Sequence, residues 1–348
     1  MSVKKRDRLL SGPDTIILLM VILIVCILVS FLFGRYPVPF KELCGILADK
    51  VLSIFGLGIE PFWTDAMQAA VWNVRLPRVI MSVLVGACLS AAGAAYQGVF
   101  QNPMAAPDVL GASAGAGFGA ALAIYVGLSS MYITLAAFGM SLLTVALVFW
   151  VSRHAKGERV LGLVLAGIMV SSLFQAGTSF IKLAADPTNK LPEITYWLMG
   201  SFTSASYQKI LIGCPLIVAG IIIIYLLRWR LNILSLSDDE ARASGINIKQ
   251  TRMLFIVAST LVTASAVSMC GQVGWIGLLI PHASRMLVGS NNRYVVPLSL
   301  SLGASFMILI DTLSRSISII ELPLSILTAI IGAPAFISLL NKTRSNLQ

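Results

Sequence analysis

Three consecutive carboxylates, Asp238, Asp239 and Glu240, stand in a polar stretch between two long apolar segments of the chain. Acidic side chains in the first turn of a helix are favoured by its dipole, and Ser237 or Asp238 is a suitable N-cap. Gly245 adopts positive φ easily and would end the same helix. The pattern predicts a short, capped helix that stays in water, with an ordinary polar loop as the alternative.

The rest of the chain offers little for catalysis or metal binding. It has two histidines, His154 and His282, and its five cysteines show no metal-ligand spacing. No P-loop or other nucleotide-binding motif is present. The sequence therefore predicts a protein that is not an enzyme, hydrolyses no ATP itself, and carries no metal or cofactor.

Hydropathy determines the elements that must position these residues. Apolar residues make up 57% of the 348 residues and charged residues only 11%, against about 25% charged residues in soluble domains. Runs of about 18 or more apolar residues cross the hydrocarbon core as helices, because backbone groups in lipid must pair within their own segment. We therefore predict an all-α integral membrane protein with one domain, 1–348, and about ten transmembrane helices. The apolar runs lie near 15–34, 77–98, 109–127, 131–151, 161–183, 207–227, 251–270, 276–290, 296–314 and 323–341.

The basic residues predict an orientation in the cell membrane. Most of the 25 Lys and Arg fall in stretches that a ten-span chain places on one side, which the positive-inside rule assigns to the cytoplasm. Both termini and the loop 228–250 are then cytoplasmic, and the segment 35–76 is external. Apolar residues at Phe40, Leu43 and Val51 predict an amphipathic helix within that external segment, lying at the lipid surface. The net charge of +10 is thereby explained by orientation and predicts no nucleic-acid partner.

Ionisable residues are rare within the predicted spans. Lys182 and Asp311 lie near segment ends, whereas a carrier coupled to protons or sodium usually holds acids at membrane depth. Secondary transport is therefore disfavoured. Small residues are frequent instead, and glycines at 111, 115 and 119 predict close helix packing.

One apolar run contains breaks in its pattern. Gly274 precedes Pro281 and His282 there, and irregular backbone at membrane depth persists only where protein or a cavity covers it. We take Gly274, Pro281 and His282 as candidate pathway or gate residues. A purely structural hydrogen bond is the alternative for His282.

Five stretches, in order along the chain, resemble one protein family. They are "RLPRVIMSVLVGACLSAAGAAYQGVFQNPMAAPDVLGASAGA" (75–116), "LSLSDDEARASGIN" (234–247), "GQVGWIGLLIPHASR" (271–285), "DTLSR" (311–315) and "ELPLSILTAIIGAPAFISLL" (321–340). They are similar to the permease subunits of iron-siderophore, haem and cobalamin importers. Met104 and Trp275 are small departures, since Leu and Phe are usual there.

The resemblance implies a type II ABC importer permease fold with an inverted repeat. It also implies a second permease subunit, with a homodimer expected, two ABC ATPase subunits, and an extracytoplasmic substrate-binding protein. The residues implied to couple to the ATPase are Asp238, Asp239, Glu240, Ala241, Arg242 and Gly245. The residues implied to dock the binding protein are Arg75, Arg78 and Arg315, which stand at outer span ends, where snorkelling to lipid headgroups is the alternative.

The predicted function is ATP-driven import of an iron-chelate-type substrate, first siderophore-bound iron and then haem or cobalamin; oxyanions such as molybdate also occur in the family. A secondary carrier or channel for a small solute is the runner-up. A membrane-embedded enzyme is a third class, and it lacks a catalytic constellation in this chain.

Overall fold

The computed structural model describes residues 12–154, 159–236, 240, 243–318 and 320–345, and every regular element within these ranges is helical. The first helices are α1 (Gly12–Leu32), α2 (Phe40–Ser53) and α3 (Asp65–Ala69), followed by a π-helical segment (Ala70–Arg75) that leads directly into α4 (Leu76–Val99). Next come α5 (Ala112–Val126), α6 (Ser130–Ser152), α7 (Arg159–Ala184), α8 (Lys190–Leu198), α9 (Tyr207–Leu227) and α10 (Arg230–Ile233). The last four are α11 (Ile248–Cys270), α12 (Ile276–Val288), α13 (Asn292–Ser316) and α14 (Leu324–Ser345).

The predicted set of apolar spans is confirmed. In the described part of the chain, seven helices are long and apolar enough to cross a membrane, and three shorter apolar helices, α5, α12 and α14, account for the remaining runs. The short length of α5 has a local cause. Gly111 and Gly127 flank it with φ of +75° and +85°, a backbone region that ends a helix and suits glycine.

The central helix is α4, most of whose side chains are buried. Its small residues let other backbones come close: a Cβ on Gly86 would overlap the carbonyl oxygen of Gly303 in α13. A Cβ on Gly93 would overlap the carbonyl oxygen of Gly277 in α12. Close approach of this kind is how helices associate in lipid, where apolar burial alone gives little driving force.

The predicted glycine packing is also confirmed, and its partners lie in the same chain. Side chains at Gly115 and Gly119 would overlap Thr144 and the backbone of Ala136, both on α6. Gly111 precedes α5 and faces α7. This stripe is therefore filled by the subunit's own helices.

The predicted amphipathic helix within 35–76 is α2. Leu43 is buried against a small cluster that includes Trp63 and Val71. Phe40 and Val51 are exposed, so the buried edge of α2 is narrower than the sequence pattern suggested. An exposed apolar edge is expected of a helix at a membrane surface.

The spans alternate in direction, which brings α1 and α13 to an end beside the start of α4. We call this the Arg78 end. At the opposite end, which we call the Asn232 end, α4 and α9 finish while α11 and α13 begin. The inverted repeat implied by the resemblance stays a prediction.

Candidate functional site

A buried ion-pair cluster lies at the Arg78 end. The Nε atom of Arg78 donates to Asp311 Oδ1 at 2.6 Å, joining α4 to α13. Its Nη1 and Nη2 atoms donate to the two carboxylate oxygens of Glu321 at 3.0 and 2.7 Å. A planar guanidinium that fills its fork with two carboxylates is the strong form of this interaction.

Two further arginines complete the cluster. Arg315 lies one turn after Asp311, with its Nε atom 3.4 Å from Asp311 Oδ2, and its Nη2 donates to the carbonyl and hydroxyl oxygens of Ser30 in α1. Arg75 donates to the carbonyl oxygens of Phe31 and Tyr36. The cluster therefore ties α1, α4 and α13 together where these helices meet.

Arg75, Arg78 and Arg315, the predicted docking residues at the outer span ends, are buried side chains in this structure. They are only 4%, 5% and 5% exposed. Burial is tolerated because carboxylates and carbonyls of the same chain satisfy the guanidinium groups. Snorkelling to lipid headgroups is excluded for the same reason. Docking of a binding protein through these side chains stays a prediction, and it would require them to leave their present partners.

Glu321 lies in the connection between α13 and α14, where its side chain accepts from Arg78 and from Thr203 Oγ1, the latter at 2.9 Å. Burial raises the pKa of Glu321, but hydrogen bonding to Arg78, the Arg78 charge and the hydrogen bond from Thr203 outweigh burial and leave the pKa below its ordinary value. Arg78 and Thr203 are thus the side-chain partners of Glu321 in the described part of the chain.

The Asn232 end is held by neutral amides. Asn232, in the short helix α10, donates through Nδ2 to Asn291 Oδ1 at 2.8 Å. Its Oδ1 accepts from the backbone N–H of Asn292, also at 2.8 Å, at the first residue of α13. The start of the loop 228–250 is thereby fixed to the start of α13.

The same loop is anchored to α4. Leu231 and Leu234 are completely or almost completely buried, and Leu231 packs against Gly98 near the end of α4. Gln101, just after α4, donates to the carbonyl oxygen of Leu234. The turn that follows is closed by Asp108, which accepts from the backbone N–H of Ser113 at 2.8 Å and caps the first turn of α5.

Of the predicted coupling residues, Asp238, Asp239, Ala241 and Arg242 lie outside the described residues. Glu240 is helical and exposed, and its carbonyl oxygen accepts from the backbone N–H of Ser244 at 3.2 Å. Gly245 has φ of +73°, as predicted for a residue that ends this helix. No other group would contact a Cβ placed on it. The coupling role of these residues stays a prediction.

The break in the candidate pathway run lies at residues 271–275, between α11 and α12. Gly271 has φ of +78° and packs against the backbone of Gly200. Trp275 has φ of +69°, an uncommon conformation for a residue with a side chain, and it packs on Gly332 of α14. Gly274 lies in the open part of this segment, where a Cβ would contact nothing.

Pro281 lies within α12, and the helix continues through it. Proline has no N–H for the carbonyl four residues earlier, which here belongs to Gly277. Gln97 of α4 lies near that carbonyl, with Nε2 at 3.5 Å, and donates to the next one, Leu278, at 3.3 Å. Pro281 therefore removes one backbone hydrogen bond, while the helical assignment of α12 runs unbroken from Ile276 to Val288.

His282 faces α14. Its ring meets Phe336 edge-on with centroids 5.6 Å apart, and its Nε2 atom has no hydrogen-bond partner among the described residues. The structural hydrogen bond offered as an alternative is thus absent at Nε2 in the part of the chain that the structure describes. A role for His282 in a pathway stays a prediction.

Sequence reasoning missed the partners of the arginines. Asp311 and Glu321 were assigned no role at this site, although they hold Arg78. One local signal was available, since Asp311 and Arg315 are four residues apart in a helix and such pairs meet on one face. No local signal connects Arg78 to either carboxylate.

The fold and its two ends define the class: a multi-pass helical membrane protein with a buried ion-pair cluster at one end and a helix-anchored loop at the other. The FecCD transport family matches residues 22–342. The chain belongs to this family, as the sequence resemblance predicted, and it is an ABC importer permease of the FecCD type.

Individual relatives agree over nearly the whole chain. The molybdate import system permease protein MolB of Haemophilus influenzae is 38% identical over 329 residues, which cover 94% of this chain and 95% of MolB. A probable iron chelatin transport system permease protein of Helicobacter pylori is 40% identical over 280 residues, covering 80% and 85% of the two chains. A solved structure described as an inward-facing conformation of a metal-chelate type ABC transporter has a TM-score of 0.84 and 36% identity, covering 95% of this chain and 99% of that one.

Proposed function

We propose that this chain is the membrane subunit of an ATP-driven importer that carries an iron-chelate-type substrate into the cytoplasm. Two copies of the chain form the pathway, two ABC ATPase subunits bind at the Asn232 end, and an extracytoplasmic binding protein delivers substrate at the Arg78 end. Both termini are cytoplasmic in this arrangement. The chain itself hydrolyses no ATP.

The observation that carries the proposal is the anchoring of the loop 228–250. Asn232 joins it to α13, and Leu231 and Leu234 join it to α4. A force applied to the start of this loop, at Leu231 to Leu234, would therefore reach α13 and α4 directly. Such rigid attachment is what an element driven by a separate ATPase needs.

The Arg78 end supports a docking surface of a particular kind. Its cations are internally paired and its helix ends are held together by Arg78, Asp311 and Glu321. We propose that these residues keep the outer surface in shape for the binding protein. Direct pairing of Arg75, Arg78 or Arg315 with the binding protein is then a second step that exchanges one carboxylate partner for another.

For the pathway we propose the seam between α12 and α14. Trp275 and His282 both contact α14, and Gly274 lies beside them with free space around its Cα. Movement of α14 relative to α12 would change the width of this seam. The runner-up function, a secondary carrier, would use a carboxylate at membrane depth to bind its coupling ion. The buried carboxylate of Asp311 is already paired with two arginines, so this geometry does not favour the runner-up.

Molybdate is the second candidate cargo. The similarity to MolB over 94% of this chain favours it, whereas the relative from Helicobacter pylori is named for an iron chelate. The two cargoes differ in size and charge, so one experiment can separate them.

The test is uptake by proteoliposomes that contain the permease, its cognate ATPase and its binding protein. We expect ATP-dependent accumulation of a radiolabelled ferric siderophore, abolished when the ATPase is omitted. Accumulation of molybdate alone would assign the oxyanion as cargo. Uptake without the ATPase, driven by an ion gradient, would overturn the proposal in favour of a secondary carrier.

A further inference from the structure

A groove of about 220 Å³ lies at the Asn232 end between α1, α9 and α13. Its wall is apolar where it follows the helices toward mid-membrane, with Ile16 and Met20 from α1 and Leu300 from α13. Its mouth is basic, with Arg228 just after α9 and Arg293 in the first turn of α13. This combination of an apolar wall and a cationic mouth is not used by any function described above.

Arg228 is held in a fixed position at the mouth. Its Nη1 donates to the carbonyl oxygen of Tyr225 at 2.5 Å, and its Nε donates to the carbonyl oxygen of Arg293 at 3.2 Å. The guanidinium carbon lies 4.0 Å from the centre of the Tyr225 ring. These contacts leave Nη2 without a partner in the described ranges of the chain. A guanidinium oriented in this way loses little further freedom when it binds an anion.

Neither Arg228 nor Arg293 forms an ion pair within the residues that the structure describes, and no Asp or Glu lines the groove. Asp14 is exposed on α1 and lies outside the lining. Arg78 and Arg315, in contrast, are each ion-paired with a carboxylate of the same chain. A site with two cations and no anion is complementary to phosphate, which guanidinium groups bind well.

The apolar wall decides which phosphate compound fits. Only 22% of the most apolar 18-residue stretch of α1 is buried, and Met20 is half exposed, so this wall continues into the lipid-facing surface. Inorganic phosphate would gain nothing from such a wall, and an acidic segment of a soluble protein would not enter it. Residues 1–11 precede the groove in sequence and carry four basic residues against one acid, so their net charge is not complementary to the basic mouth.

We propose that this groove binds an anionic phospholipid. The headgroup phosphate lies between Arg228 and Arg293, and an acyl chain lies against Ile16, Met20 and Leu300. Basic pockets between transmembrane helices are a known kind of lipid-headgroup site, and basic residues near a membrane surface add to the attraction. The bound lipid joins α1 to α9 and α13 at the root of the loop 228–250.

The test is native mass spectrometry of the full-length permease, titrated with phosphatidylglycerol and with phosphatidylcholine of the same acyl chains. We expect tighter binding of phosphatidylglycerol. Arg228→Gln and Arg293→Gln should each weaken it about fivefold, and the double variant about 30-fold, with little change for phosphatidylcholine. The matched control is Arg153→Gln, an exposed arginine that follows α6 at the same end, and it should bind like wild type.

Three results would overturn the proposal. The first is equal affinity of wild type for the two lipids, which needs no variant to fold. The second is an equal loss of binding in Arg153→Gln, which would indicate general surface charge. The third is displacement of bound lipid by millimolar inorganic phosphate together with no dependence on acyl-chain length, which would indicate a simple anion site. Should the Gln variants misfold, Arg228→Lys with Arg293→Lys keeps both charges and is expected to keep the preference for phosphatidylglycerol.

Discussion

Replacing Arg78 by leucine tests whether the buried cluster stabilises the fold. The ion pairs of the cluster join two cations, Arg78 and Arg315, to two anions, Asp311 and Glu321, whereas Arg75 donates only to carbonyl oxygens. Arg78→Leu leaves two carboxylates facing one arginine. Asp311, only 1% exposed, would keep only the 3.4 Å contact to Arg315. Removing one partner of a buried pair costs about 3–5 kcal/mol, because the remaining charge is left without compensation.

Glu321→Gln provides the comparison. Its side chain is 14% exposed, so water can partly replace the lost charge, and an amide oxygen still accepts from Arg78. We expect a loss of about 1.5–3 kcal/mol, the range for a hydrogen bond to a charged group. The ranking of the two variants therefore depends on burial, which the structure gives for each side chain.

The assay is equilibrium unfolding in mixed detergent micelles, followed by tryptophan fluorescence. A double-mutant cycle with Arg78→Leu and Asp311→Asn should give a coupling energy of about 2 kcal/mol or more, because the second change removes the charge that the first leaves unpaired. A loss below about 1 kcal/mol for Arg78→Leu, or strictly additive single variants, would refute the reasoning.

Three further predictions use side chains whose surroundings are equally well defined. The pKa of Glu321 in the folded protein lies below its ordinary value of 4.5. The ionised Glu321 side chain therefore contributes its full stabilisation above pH 4.5, and this stabilisation is lost as the pH falls through the folded pKa. The free energy of unfolding should accordingly fall less steeply with decreasing pH in Glu321→Gln than in wild type. Gly245→Val should uncouple ATP hydrolysis from uptake, because valine at φ of +73° is strained by about 1–2 kcal/mol. The control, Gly139→Val, has equal free space and an ordinary φ, and it should transport normally. Normal coupling in both variants would contradict the assignment of Gly245. Gly93→Ala should abolish the folded permease in detergent, because the added methyl group would overlap the backbone of Gly277. The control, Gly139→Ala, should elute as wild type in size-exclusion chromatography. Equal yields of folded protein for the two variants would show that α4 and α12 can separate.

Much of the fold could be predicted because lipid removes alternatives. A chain of apolar runs in a membrane must form helices, so hydropathy alone located the ten spans. The residue type alone also predicted some local features, such as the positive φ of Gly245 and the close packing of Gly115. In each of these cases the cause lies within a few residues of the effect.

The cluster at the Arg78 end could not be predicted in the same way. Arg78 is separated from Asp311 by 233 residues and from Glu321 by 243 residues. The positive-inside rule assigns charges to one side of the membrane and carries no information on whether Arg75, Arg78 and Arg315 are buried. A buried arginine that is paired with a carboxylate of the same chain adds almost no net charge to its side of the membrane. Such a pair can be recognised only from the tertiary contact between the two residues.

The two ends of the molecule are joined by one pair of helices. Arg78 opens α4 and pairs with Asp311 near the end of α13, while at the other end Gln101 follows α4 and Asn292 begins α13. Between these points the two helices approach so closely at Gly86 that neither can slide past the other without loss of packing. A displacement of the loop 228–250 is therefore expected to tilt α4 and α13 as one rigid pair and to move the Arg78 end with them. Rigid-body motion of this kind needs no relay of side chains through the membrane, which accords with the scarcity of unpaired ionisable groups in the described spans.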